Sequence, residues 1–168
     1  MPSTYSTIAT TTLGSAAANV DFNSISGTFT DLVLICEFTT ANNTSITLRV
    51  GNGSLDTGTN YSYTVVEASG SGARSGRDVN TTSGFITGHW SQITAGNRVA
   101  TITNIQNYSN TTTNKTFISR GNISNQWTDE GIFLWRSTAA INTIRLFNNT
   151  GANFSAGSIF TLYGIKAA

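Results

Sequence analysis

A single cysteine, a single histidine, a single proline and a charged fraction of 10% in 168 residues remove several kinds of protein at once. Cys36 has no partner, so no internal disulfide can form and nothing argues for an oxidising compartment. One Cys and one His cannot complete a structural zinc site of the usual kind. Nucleophilic catalysis of the Ser-His-Asp or Cys-His type would have to pass through His89. Its surroundings, Thr87-Gly88-His89-Trp90-Ser91, form no nucleophile elbow. The segment Gly70 to Gly76 has glycines but lacks the Gly-Lys-Ser/Thr ending of a phosphate cradle. Nine Lys and Arg against eight Asp and Glu give a net charge of +1 without blocks of either sign, which is not a nucleic-acid footprint. No apolar run approaches a membrane span, and Met1-Pro2-Ser3-Thr4-Tyr5 has neither the basic start nor the apolar centre of a signal peptide, so neither a membrane nor export is expected.

What the chain does have is Thr (29), Ser (19), Asn (18) and Gly (16), close to half of all residues. Thr with Val, Ile, Phe and Tyr suits pleated strands, and Asn, Gly and Ser suit the turns between them. Period-two alternation runs through Val20 and Phe22, Ile46 to Val50, Tyr61 to Val65, and Ile144 and Leu146. Denser apolar runs at Leu32 to Phe38, Ile132 to Trp135 and Ile159 to Ile165 read as central strands. With Tyr5 to Leu13, Val99 to Ile105 and Lys115 to Ser119, about ten strands are expected. That count in one domain, residues 1–168, implies an all-β fold: a two-sheet antiparallel sandwich, jelly-roll-like. Surface scaling allows one well-filled core, with about 8,000 Å² exposed after folding. Leu32, Leu34, Leu48, Phe133, Ile144, Leu146, Phe160 and Leu162 are expected in it, with Cys36 as a small buried hydrophobe. Gly70 to Ser83 and Asn107 to Asn114 read as surface loops.

Chemistry is sparse in this reading. No catalytic residue, cofactor site or metal site is assigned. Asp56, Asp78, Asp129 and Glu130 sit in turn-like sequence that would suit calcium only if clustered, and no EF-hand spacing is present. A contact surface is the remaining candidate. Trp90 and Trp127, flanked by polar residues, are the better candidates for an exposed aromatic contact that could stack a sugar, with partial burial under a loop as the alternative. Arg74 and Arg77, on a common loop, could meet an acidic partner.

Three segments carry a resemblance: Thr30-Asp31-Leu32-Val33-Leu34, Gly58-Thr59-Asn60-Tyr61-Ser62-Tyr63-Thr64, and Gly157-Ser158-Ile159-Phe160-Thr161-Leu162-Tyr163-Gly164-Ile165-Lys166. The start Met1 to Tyr5 and the stretch Ala139 to Leu146 followed by Asn153-Phe154 add to it. Together they resemble a group of small virion structural proteins of tailed bacteriophages, marine and cyanobacterial ones among them. The resemblance implies a non-catalytic protein on a virion assembled in the bacterial host cytoplasm. It would decorate or cement the outer head surface against the major capsid protein and copies of itself, as a trimer, with Thr4 to Thr12 as an edge for pairing. The alternative is a tail fibre or receptor-binding appendage contacting a host saccharide.

Overall fold

The computed structural model describes residues 4–166, so the Met1-Pro2-Ser3 part of the starting segment lies outside the described residues. Thirteen strands and no helix occur among them: β1 (Tyr5–Thr12), β2 (Asn19–Phe22), β3 (Asp31–Phe38), β4 (Ile46–Asn52), β5 (Ser54–Leu55), β6 (Tyr61–Ser69), β7 (Gly72–Thr81), β8 (Gly84–Thr87), β9 (Val99–Ile105), β10 (Lys115–Ile123), β11 (Trp127–Trp135), β12 (Thr143–Asn148) and β13 (Ile159–Ile165). The larger sheet has eight strands in the order β1-β13-β3-β9-β10-β11-β6-β7. The smaller has five, β2-β12-β4-β5 with β8 also on β4. Every pairing is antiparallel.

The sheet orders define a jelly roll. β1, β13, β3 and β9 share one sheet and β2, β12, β4 and β8 the other. Through the first four of these eight strands the chain therefore changes sheet at every step, and the last two return beside the first two, the double Greek-key pattern. The hairpins β6–β7 and β10–β11 are additions that widen the larger sheet beyond β9.

Alternation builds the core. In β9, β10 and β11 every second residue is buried, because successive side chains of a strand point to opposite faces. Leu34 lies opposite Leu162 and Cys36 opposite Phe160, and these face Leu48, Ile144 and Leu146 of the smaller sheet within one hydrophobic cluster. All eight residues expected in the core are at most 1% exposed. Burial pushes the Cys36 thiol up to about 12, against a small opposing hydrogen bond to Thr101, so this thiol packs as a hydrophobe. The accessible surface, 7901 Å², agrees with the scaling expectation.

Two segments differ from the loop expectation. Gly72–Thr81 is the ten-residue edge strand β7, almost wholly exposed. Its partner β6 holds it through the backbone ladder, which leaves no apolar alternation to read. In Asn107 to Asn114 the backbone is a turn, but Tyr108 is fully buried. Its hydroxyl donates to the Ser26 carbonyl and accepts from the Phe29 N–H, pinning this loop to the β2–β3 connection.

Candidate functional site

The site forms where β6, β7 and β8 meet. Alternation on β6 points Tyr61, Tyr63, Val65 and Glu67 to the inner face. On β7, Asp78 lies opposite Tyr63 and Arg74 opposite Glu67. β8 ends at Thr87, and Gly88 then takes φ 81°, a left-handed conformation suited to glycine. That turn brings His89 and Trp90 back against β6 and β7.

The His89 ring stands edge-on to three neighbours: Phe85 at 5.0 Å, Tyr63 at 5.2 Å and Trp90 at 4.2 Å between centroids. Tyr63 O–H donates to Asp78 Oδ2 at 3.2 Å, and the Tyr63 oxygen lies 3.0 Å from His89 Nε2. Both bonds are satisfied together when Nε2 carries the imidazole proton and donates to Tyr63. Burial lowers the His89 pKa, against the opposing pull of Asp78 and Glu67. Burial and then Asp78 push the Tyr63 phenol up to about 12. A neutral imidazole and an un-ionised phenol are therefore the working states, and among the described residues no side-chain hydroxyl other than that of Tyr63 is bonded to His89.

Beside these rings opens a cleft of about 440 Å³. Its lining is of two kinds. Ser45, Thr47, Asn80, Thr81, Thr82, Ser83 and Asn149 offer hydroxyls and amides, and Tyr63, Phe85 and His89 offer rings. None of these carries a formal charge in the states just described.

Trp90 packs behind the cleft, edge-on to His89. A Cβ on Gly76 would stand 2.1 Å from the Trp90 ring, so glycine there is what lets the indole lie across β7. The Arg74 guanidinium sits 5.9 Å from the ring centre while donating to Glu67 Oε1 at 2.9 Å and to Ser91 Oγ. Glu67 itself is buried, and so is Asp129, its register partner on β11. Asp129 accepts from the Thr87 hydroxyl and from Gly88 N–H at 2.8 Å. Burial pushes its carboxyl up to about 6, with those two bonds pulling the other way and Glu67 adding to the rise. These carboxylates fix the β8 turn and do not line the cleft.

Of the four contact residues expected from sequence, the structure brings Arg74 and Trp90 together and separates the others. Arg77 lies an odd number of residues from Arg74 on one strand, so it projects from the opposite face, beside Ile132 and Leu134. Trp127 is only 8% exposed and belongs to the core cluster. Its expected exposure is corrected: it is an inward position of β11 that happens to have polar sequence neighbours. The turn-like setting expected for the acidic residues is corrected too, since Asp78 lies in β7 and Asp129 and Glu130 in β11. Asp56 is engaged as a turn organiser, accepting from Trp135 Nε1 at 2.7 Å, Asn60 Nδ2 at 2.9 Å and Gly58 N–H at 2.8 Å. Burial raises its pKa, but these three bonds outweigh it and hold the carboxyl below its ordinary value. Among the described residues no three His, Cys, Asp or Glu side chains gather closely enough to hold a metal ion. Tyr63 is a functional position that sequence did not single out, and sequence marked Asp78 only as a candidate calcium ligand, not as the partner of Tyr63. The only signal was the Tyr61-Tyr63 alternation, which sets Tyr63 on the same face as its core neighbours.

Fold and site define a jelly-roll protein with one neutral, polar and aromatic cleft at the corner of its larger sheet. Residues 64–162 match the TANGO2 family, described as Transport and Golgi organisation 2. The match covers more than half of the chain, from β6 to β13, and the chain belongs to that family. No curated protein matches it. Family membership overturns the resemblance to phage virion proteins and, with it, head decoration, tail appendage and residence on a virion. The segments that carried that resemblance lie largely on β3, β6 and β13 and the turns before them, where alternation and turn chemistry fix the residues whatever the protein does.

Proposed function

We propose that the chain is a non-catalytic binding module whose cleft takes an uncharged, hydroxyl-rich ligand of the sugar class. The lining of the cleft carries this reading: seven hydroxyl and amide side chains around three rings, with no formal charge. Sugars present an apolar CH face that stacks on aromatic rings and hydroxyls that exchange hydrogen bonds with neutral polar groups. Catalysis is disfavoured by the same geometry. Ser45 Oγ donates to the Gly88 carbonyl at 2.7 Å and Thr81 Oγ1 to the Ser83 carbonyl at 3.0 Å, so neither hydroxyl is paired with the imidazole that would have to activate it. The family's description, transport and Golgi organisation, is compatible with this role, since glycans are hydroxyl-rich cargo of such traffic.

The test is a titration of isotope-labelled protein with glucose, galactose, mannose and N-acetylglucosamine. Shifts confined to Tyr63, Phe85, His89 and the β7–β8 residues, lost in Tyr63→Ala, are expected. Saturation without response from any of the four sugars, or turnover of a glycoside substrate, would defeat the reading.

A further inference from the structure

Among the described residues seven large hydrophobic side chains are exposed, and six of them lie on one surface. Tyr5, Val66, Val79, Ile102, Ile132 and Ile159 all occupy outward positions of the eight-stranded sheet; Trp90 alone lies elsewhere. Register shows this directly. Ile102 is opposite Ile35 on β3, Ile132 is opposite Ile118 on β10, and Val79 shares its row with Ser62 and Leu134. A groove of about 500 Å³ between Tyr5, Ile35 and Ile102 breaks the surface on the β1 side. The outer face of the smaller sheet is built differently. There Arg145 holds Asp21 with two hydrogen bonds of 2.7 and 2.6 Å, and Arg49 lies 4.7 Å above the Phe147 ring. One sheet is finished for water and the other is not.

Charge on the apolar face is sparse and of both signs. Arg120 and Glu130 are register partners on adjacent strands in the interior of the sheet, yet they form no ion pair with each other or with any other described residue. An unpaired cation beside an unpaired anion, ringed by isoleucine and valine, is self-complementary. A twofold operation sets each Arg120 against the other copy's Glu130 and each Glu130 against the other copy's Arg120. The area is also sufficient. Eight strands at about 4.8 Å spacing and seven residues at about 3.4 Å rise give a face near 800 Å², the share one partner contributes to a stable interface of standard size.

We propose that the outer face of the eight-stranded sheet is an isologous dimer interface, covered by the same face of a second copy of this chain. The two sheets pack face to face with Ile102 and Ile132 in the buried centre and the Arg120 and Glu130 pairs fixing the orientation. The edge strand β1 is a poorer contact, because the bulge between Thr7 and Ala9 breaks the regular ladder that an added strand requires. The interface lies on the opposite side of the sheet from the Tyr63–His89 cleft, so it stands or falls independently of the ligand.

Sedimentation equilibrium of the full chain tests it, with circular dichroism to show that each variant is folded. Wild type is expected to be dimeric at about 50 µM, and Ile132→Asp to weaken the dimer at least tenfold. Arg120→Glu and Glu130→Arg are each expected to be monomeric alone and to associate when mixed, since their union restores opposite charges on both sides of the twofold. A wild type that stays monomeric overturns the proposal, including the case in which it binds phosphatidylcholine vesicles through this face. So does a dimer or trimer indifferent to all three substitutions, or single variants that do not recombine.

Discussion

Asp129 shows how one buried acid sets the pH response of this chain. Its pKa rises from 3.8 unfolded to about 6 folded, so the folded state holds the proton more tightly. Stability from this group is full below the unfolded value and is lost as pH rises through the folded one, an effect of about 3 kcal/mol. His89, whose pKa is lowered by burial, acts in the opposite sense and costs stability as pH falls below its ordinary range. In Asp129→Asn the difference from wild type isolates the acid: urea midpoints of the two proteins should diverge between pH 4 and 6, the variant gaining relative to wild type as pH rises. Gly76 offers a second test. Its replacement by Ala drives a methyl into the Trp90 ring, so the indole must leave β7. Red-shifted tryptophan emission is the expected result, with weakened binding only so far as His89 loses the ring that packs behind it, and little change in the strand signal.

At the level of elements, legibility followed burial. β3, β9 and β13 could be read to within a residue because their apolar positions either alternate or crowd together, as in Leu32-Val33-Leu34-Ile35-Cys36. β7 escaped because a strand on an exposed edge owes its place to backbone hydrogen bonds from β6, and Gly72-Ala73-Arg74-Ser75-Gly76 has the composition of a loop. β8 escaped for the contrary reason: Gly84, Phe85, Ile86 and Thr87 are all buried, so no alternation marks them. The cleft inherits both difficulties, being formed by β7, β8 and the turn that follows. Trp127 is hard to place from sequence because its polar neighbours are the Ser124-Asn125-Gln126 turn before β11 and the outward Thr128 after it. The legible strands also carry the stability. Leu34 is fully buried between β13 and β9, and Leu34→Ala should cost about 2–5 kcal/mol in chemical unfolding, the upper end if the surrounding side chains cannot collapse into the space.

For the molecule as a whole, sandwich architecture was accessible from strand number and chain length, but sheet order was not. Pairings such as β3 with β9 and β1 with β13 join residues far apart in sequence, and no local pattern encodes them. The same distance between pattern and meaning misled the family reading, because short runs such as Thr30 to Leu34 record a strand and its turn without recording a lineage. Pairing of β1 with β13 has a mechanical consequence. Tyr5 lies opposite Ile165 and Thr12 opposite Ile159, and Lys166 N–H donates to the Thr4 carbonyl just outside them, so force applied at residues 4 and 166 acts first on that outermost bond and then on each rung in turn. Such loading peels the seam open one hydrogen-bonded pair at a time and never shears the ladder as a block. In single-molecule stretching the jelly roll should therefore yield at low force despite its large core, and a variant pulled instead from residues 12 and 165 should resist substantially more.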